Sequence, residues 1–283
     1  MWFILTINSV TLGGLLFLLS AGFSLIFGLM RIPNLTHGSF FMLGGYLGVT
    51  LIRFGLNFWI AAILTALIMA AIGVTVERLL LRPLGGNAMQ QVLLTLGLSF
   101  IIADLSLMIW TGDPVRVPTP PGLEGTASLF ALQFPLYRLA VVGIAVIIAV
   151  GLWLMIERTR LGAMIRAGVD DAPMARVVGI RVSALFSVVF ALGAALAGFA
   201  GLMAGPYLSI YPGLDSEMLP LALIVVILGG TNSLLGALVG SFIIGFLFNF
   251  GQVLFPNLAY VILFLPMLVI LMFRPQGLFG RLT

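Results

Sequence analysis

Long apolar runs recur from one end of the sequence to the other, and they limit the fold more than any other feature. Many reach about 20 residues, the length a helix needs to cross the hydrocarbon core of a bilayer. The runs predict segments at Ile7–Met30, Gly38–Ile52, Phe58–Val76, Val92–Trp110, Leu136–Ile156, Ala184–Ala204, Met218–Leu228, Leu234–Leu254 and Leu258–Phe273. A membrane β-barrel would instead show alternating segments of about 10 residues, and none is visible. Composition agrees, because only 8% of the 283 residues are charged and 61% are hydrophobic. A soluble domain carries about 25% charged residues, so this chain cannot clothe a water-facing surface. A soluble enzyme, a secreted disulfide scaffold and a disordered chain are excluded. The expectation is an all-α, polytopic transmembrane helix bundle of about eight or nine segments, one domain over residues 1–283.

Two of the segments are short for a span. Gly38–Ile52 follows a break at Pro33-Asn34-Leu35-Thr36-His37, and Met218–Leu228 runs into Gly229-Gly230-Thr231-Asn232-Ser233. Both predict broken or partly re-entrant helices, a backbone tolerated at membrane depth only where protein or a cavity surrounds it. A weak internal echo accompanies them. Leu12-Gly13-Gly14, Ala21-Gly22-Phe23 and Gly28 resemble Leu192-Gly193-Ala194, Ala197-Gly198-Phe199 and Gly205, each set preceding a glycine-rich interruption. Paired interruptions in two halves point to a translocation pathway.

The basic residues set the orientation. All 13 are arginines, against nine acids. Residues 157–181 carry Arg158, Arg160, Arg166, Arg176 and Arg181, Arg78 and Arg82 follow the third segment, and Arg274 and Arg281 lie in the tail. Arginine-rich loops stay in the cytoplasm. Residues 111–135 and 205–216, with one arginine and none, are therefore expected outside, with the short N-terminus. The first six residues offer no basic n-region, so no removable signal peptide is expected.

Chemistry of the enzymatic kind is hard to find. There is no cysteine, which excludes disulfides and thiolate metal sites. The lone histidine, His37, cannot build a histidine-based metal site, and no HExxH, GxSxG or Walker A pattern occurs. The expectation is no catalytic residue, no metal, no nucleic-acid partner and no cofactor bound by this chain.

The strongest local signal is the loop at residues 157–181. Asp170 or Asp171 can cap a short helix over Ala172–Val178, with Pro173 in its first turn and Gly179 closing it. Such a helix would lie across the cytoplasmic face and present Met174, Val177 and Val178.

Here the sequence resembles the permeases of bacterial ABC importers for branched-chain amino acids. The loop shows the family's Gly, Arg-Ala, acidic stretch, Ala and Gly-Ile as Gly162, Arg166-Ala167, Asp170-Asp171, Ala175 and Gly179-Ile180. Asn34 to Gly38, running on to Gly44 and Tyr46, is similar to its Asn-Phe-Ala-His-Gly segment. Glu77-Arg78 with Arg82-Pro83-Leu84 resembles its Glu-Arg and Arg-Pro-Leu motif, and Arg274 to Gly280 its C-terminal signature. The Asn34 to Gly38 form favours the LivH-type subunit over its LivM-type sister. Gly85 stands where the family usually has arginine.

The resemblance implies an ABC importer permease in the bacterial inner membrane, multi-pass and surrounded by lipid. Its implied partners are a homologous LivM-type permease, two ABC ATPase subunits that hold ATP and magnesium, and a periplasmic solute-binding protein. It implies a coupling segment at about 157–182, with Arg166, Asp170, Asp171, Ala172, Met174, Ala175, Arg176 and Gly179 at the ATPase contact and Ala175 facing its groove. Relatives carry leucine, isoleucine and valine, or urea, short amides and other small solutes. An ion-coupled secondary transporter is the rival from another class, and it would need more intramembrane ionisable groups.

Candidates for the path are Asn34, Thr36, His37, Gly38 and Gly44 in the first break, and Asn232, Ser233, Gly236 and Gly240 in the second. Each has a plainer reading, hydrogen bonding of the break for the polar residues and close helix contact for the glycines. Asp104 is the one acid well inside a predicted span, and an intramembrane carboxylate raises the question of function by default; it also lies near the predicted outer end, where a solvated or hydrogen-bonded structural role is the plainer reading. Glu77–Arg78 and Glu157–Arg158 are expected as anchors at the inner interface.

Overall fold

A computed structural model describes residues 2–30, 34–85, 87–129, 132–231 and 233–280. Its membrane helices are α1 (Trp2–Met30), α2 (Thr36–Arg53), α3 (Phe58–Val76), α4 (Ala88–Trp110) and α5 (Leu136–Arg158). Two shorter helices follow, α6 (Arg160–Asp170) and α7 (Ala172–Val177), then α8 (Val182–Ala204), α9 (Leu214–Gly229), α10 (Leu234–Leu254) and α11 (Ala259–Phe273). A small antiparallel hairpin, Thr126–Leu129 with Leu132–Pro135, stands between α4 and α5.

Among the described residues, seven helices are long and apolar enough to cross a membrane, fewer than the eight or nine segments expected. The difference lies in α2 and α9, the two interrupted segments. At 16 residues α9 reaches only about 24 Å.

The most apolar segments are not the most buried ones. α1 is the central post, wrapped by α5, α8, α9 and α10. Of its hydrophobic window 83% is buried, against 17% for α4 and 6% for α11. Lipid tails are as apolar as leucine, so close packing rather than hydrophobicity decides which helices meet. Glycine supplies that closeness. A β-carbon on Gly22 would stand 2.7 Å from the Gly193 carbonyl oxygen, and one on Gly193 2.8 Å from that of Gly22. The echoed glycines thus mark the crossing of α1 with α8. Along α8, Gly198 lies against Gly44 of α2, and a β-carbon on Gly201 would collide with the Phe41 carbonyl. Gly201→Ala should therefore cost about 1–3 kcal/mol by forcing α2 and α8 apart. Gly143→Ala, which has nothing within 4 Å, is the matched control. Thermal unfolding in detergent checks the pair, and equal midpoints would contradict this account of the packing.

The end of α3 departs from expectation. The helix runs on into a π-helical stretch, Glu77–Leu81, and a tight turn at Arg82–Leu84. Glu77 is no interfacial anchor, since its side chain is 1% exposed. Its two carboxylate oxygens receive the Arg82 fork at 3.1 Å each, and the Ser187 hydroxyl donates to one of them at 2.6 Å. Arg82 also reaches the Ser187 hydroxyl at 2.7 Å and the Ser183 carbonyl at 2.9 Å. Gln91 donates to the Leu81 and Leu84 carbonyls, both at 3.2 Å, satisfying groups that the altered helical pitch frees. The motif therefore staples α3 to the first turns of α8. Glu157 does sit exposed, 3.6 Å from Arg166.

The C-terminal signature also has a structural use. Leu278 and Phe279 N–H donate to the Leu228 and Gly229 carbonyls at 2.9 and 3.0 Å, ending α9 with partners for carbonyls it cannot satisfy itself. Gly277 (φ +80°) and Gly230 (φ +102°) take left-handed backbone to bring the tail that close.

Candidate functional site

Two short helices begin in the middle of the bundle. α2 starts beside α1, where His37 Nε2–H donates to the Leu19 carbonyl at 2.9 Å. Leu19 lies about 25 Å along α1 from Trp2. The second junction comes from the outer side. Residues 205–216, expected outside, pack against the bundle: Val115 and Ile210 exchange backbone hydrogen bonds of 2.8 and 2.9 Å, and Ile210 is wholly buried. The connection folds into the bundle because Gly45 of α2 leaves room for the Ile210 side chain. α9 consequently starts beside Gly38, where a β-carbon would stand 2.7 Å from the Asp215 carbonyl oxygen. The Ser39 hydroxyl donates to the Asp215 carboxylate at 3.0 Å.

From this junction the helices diverge. α2 rises to Thr50, which accepts from the Trp110 indole at 2.8 Å at the outer end of α4. α9 leads to Thr231, just past its end, whose carbonyl accepts from Ser24 at 3.2 Å in the C-terminal half of α1. Their N-termini, each the positive end of a helix dipole, overlap at mid-depth. Asp215 in the first turn of α9 suits that field. Sequence reasoning missed Asp215 because the arginine count put its loop outside. The signal available was Gly205-Pro206 and Gly213 bracketing an apolar stretch.

Most of the expected path residues are consumed in building this junction. Asn34 accepts from the Thr36 N–H at 3.1 Å, and the Thr36 hydroxyl donates to the Thr95 carbonyl at 2.9 Å. His37 is fully buried, with the edge of Phe23 at 5.4 Å between centroids and no partner on Nδ1 among the described residues. Gly38 meets α9, Gly44 meets α8, and Gly236 and Gly240 meet the α9 backbone at Gly229 and Val225. Ser233 caps α10 by accepting from the Gly236 N–H at 2.9 Å. Asn232 lies outside the described residues. His37→Gln, whose amide still donates to the Leu19 carbonyl, should keep uptake within about threefold of the parent. His37→Phe should lose most of it, and uptake equally poor in both variants would speak for a titrating role.

The segment at residues 157–181 is built as a platform. Thr159 caps α6 by accepting from the Gly162 N–H at 3.2 Å, and Arg166 donates to the Ile156 carbonyl. Ile165 packs with Leu185 and Val189 of α8 and with Leu25 of α1, so α6 is tied to two bundle helices. Asp171 then caps α7, accepting from the Met174 N–H at 2.9 Å. Gly179 (φ +88°) closes it, and the Ile180 N–H returns to the Ala175 carbonyl at 2.9 Å. Asp170, Arg176 and Gly179 are exposed and Ala172 is half-buried. Ala175 does not face outward as expected, being 3% exposed with its methyl turned to its own chain. Spacing explains the reversal. Positions 174, 177 and 178 share one face of a helix, and 175 falls behind it. Met174, Val177 and Val178 are 57%, 81% and 67% exposed.

Known proteins supply the frame for this geometry. The profile of the family described as the permease component of branched-chain amino acid transport systems matches residues 5–271. BraD of Pseudomonas aeruginosa, a high-affinity branched-chain amino acid transport system permease protein, is 29% identical, with 97% of this chain and 94% of BraD covered. LivH of Escherichia coli K12, a permease protein of the same kind of system, is 25% identical over the same shares of each chain. The ribose import permease RbsC of Escherichia coli K12 is 26% identical over 76% of this chain and 68% of its own.

Proposed function

We propose that this chain, which belongs to the permease family of branched-chain amino acid transport systems, carries a branched-chain amino acid or a similar small solute inward at the expense of ATP hydrolysed by partner subunits. It is a multi-pass permease of the inner membrane. In this reading it stands beside a homologous permease, two ATPase subunits grip the cytoplasmic side, and a periplasmic binding protein delivers the solute. ATP and magnesium belong to the ATPase subunits.

One observation carries the reading. α7 is a helix capped at both ends that exposes Met174, Val177 and Val178. Apolar side chains held out on a rigid, polar-flanked segment suit a protein partner. α6, continuous with that platform, is anchored on α1 and α8, so a push on α7 reaches the helices that cross at Gly22 and Gly193. The amino-acid solute is inferred from BraD and LivH. RbsC, named for ribose, marks how far relatives of similar sequence differ in cargo.

The test is reconstitution of the purified assembly in proteoliposomes with its loaded binding protein. Leucine uptake should require ATP, stop with a hydrolysis-dead ATPase subunit, and persist with a protonophore. Uptake that follows the proton gradient and ignores the ATPase would overturn the reading.

A further inference from the structure

Asp104 stands on the wrong side of its helix for a residue of the bundle. α4 buries a narrow stripe, Gln91, Thr95, Ile102 and Ser106, against the rest of the chain. Asp104 is two residues from both Ile102 and Ser106, about 200° around a helix in either direction, and so points away from the bundle. It is exposed, and makes no hydrogen bond or ion pair among the described residues. Around it Phe100, Ile101 and Met108 are 62%, 56% and 79% exposed, and Gly97, two turns below, has nothing within 4 Å of its β-position.

Depth turns this into a functional statement. Asp104 lies six residues before the end of α4 at Trp110, about 9 Å inward along the axis. With α4, about 35 Å long, centred on a hydrocarbon layer of about 30 Å, that position lies several ångströms inside it, and an aspartate is too short to reach the interface as arginine or lysine do. Ionisable groups at such depth face a bundle interior or a water-filled cavity rather than lipid. The chain offers no counter-charge there, because α4 carries no arginine and Asp104 has no ion pair among the described residues.

We propose that the outward face of α4 forms a wall of the solute path, closed on its far side by the second permease, and that the Asp104 carboxylate receives the ammonium group of the passing amino acid. This rests on the importer reading above and names the chemistry its path selects. A charge-assisted hydrogen bond to the ammonium is strong enough to prefer a zwitterionic amino acid over an uncharged solute of equal size. One such contact without a matching pocket leaves the solute free to move on.

Cysteine labelling tests the wall, since the chain has no native thiol. Ile101→Cys and Met108→Cys on α4 are compared with Ile147→Cys on α5, which is 70% exposed on a span that has no acid near it. In the assembled transporter in proteoliposomes, a charged, membrane-impermeant thiol reagent should modify the two α4 positions at least about tenfold faster, because a thiol in hydrocarbon does not ionise. Equal, slow labelling of all three would place α4 against lipid and overturn the wall. Leucine uptake tests the carboxylate. Asp104→Asn should lower it about tenfold and Asp104→Glu should restore most of that loss. Unchanged uptake in Asp104→Asn would overturn the ammonium contact. So would loss of the partner permease on purification of that variant, which would make Asp104 a dry pairing group between subunits. If the unaltered transporter takes up no leucine with ATP, the importer reading and the ammonium contact fall together, and the labelling contrast decides the wall by itself.

Discussion

Arg82→Ala is expected to lower the thermal stability of the permease by about 3 kcal/mol. Glu77 is 1% exposed, and Arg82 supplies both charge-assisted bonds to its carboxylate at 3.1 Å. Removing one partner of a buried ion pair leaves the other charge uncompensated, which costs about 3–5 kcal/mol. The Arg82 side chain is 40% exposed, so water can enter, and the low end of that range applies. Even so, the loss is a large share of a stability of about 5–15 kcal/mol. The double variant Glu77→Gln, Arg82→Ala should recover much of it, because the amide carries no charge and can still accept from Ser187. Melting in detergent, followed by the monodisperse fraction after heating, gives both values. An Arg82→Ala chain as stable as the parent would show that the staple holds nothing. A double variant no better than Arg82→Ala would show that the lost fork, not the stranded charge, is what matters.

The staple also shows where reading a sequence stops. Glu77 and Arg82 are close along the chain and could be seen together, but Ser187, which bonds both, is 110 residues beyond Glu77. Nothing in the composition of either segment announces that they meet, so Glu77 looked like a surface anchor. Local chemistry fared differently. Asp171 and Gly179 cap α7 as their identities dictate, because a cap depends on neighbours three or four residues away. The helical spans were legible for a similar reason, since length and hydropathy are properties of one segment. α6, lying just before the cap, was not foreseen. Its buried face is largely glycine and one isoleucine, Gly162, Ile165 and Gly168, too slight a pattern to stand out.

Depth was the least legible quantity. Positive charge in loops reports which side a loop is on, not whether it dips back in. The connection at residues 205–213 has no charge to place it, and only its contacts with Val115 and Gly45 reveal that Asp215 sits at mid-bundle. The glycines around the junction carry two readings, path and packing, with packing the plainer one for Gly236 and Gly240, and what lies opposite Gly38, Gly44, Gly236 and Gly240 is another helix in each case. Asp104, by contrast, was visible from the first as a charge inside a span. Its direction could come only from the burial of its neighbours on α4.

Val177→Asp is expected to abolish at least about nine-tenths of ATP-driven uptake without unfolding the bundle. Val177 is 81% exposed on α7, so its replacement removes no packing inside the chain, and exposed sites of this kind change stability by about 0.5 kcal/mol or less. In the importer reading the same side chain enters an apolar contact with an ATPase subunit. Burying a carboxylate there without a partner costs several kcal/mol, and each 1.4 kcal/mol is about tenfold in the docked population. Ala175 cannot serve for this test. Its methyl is already inside, and a bulky substituent there would disturb α7 against its own platform before any partner is involved. Val177→Ile, which keeps the apolar surface, is the appropriate companion. The measurements are co-purification of the ATPase subunits, ATPase stimulation by the loaded binding protein, and uptake in proteoliposomes. Uptake and stimulation at the parental level in Val177→Asp would refute the docking role of α7. Loss of both in Val177→Asp, with both kept in Val177→Ile, would establish the exposed face of α7 as the surface through which ATP moves this chain.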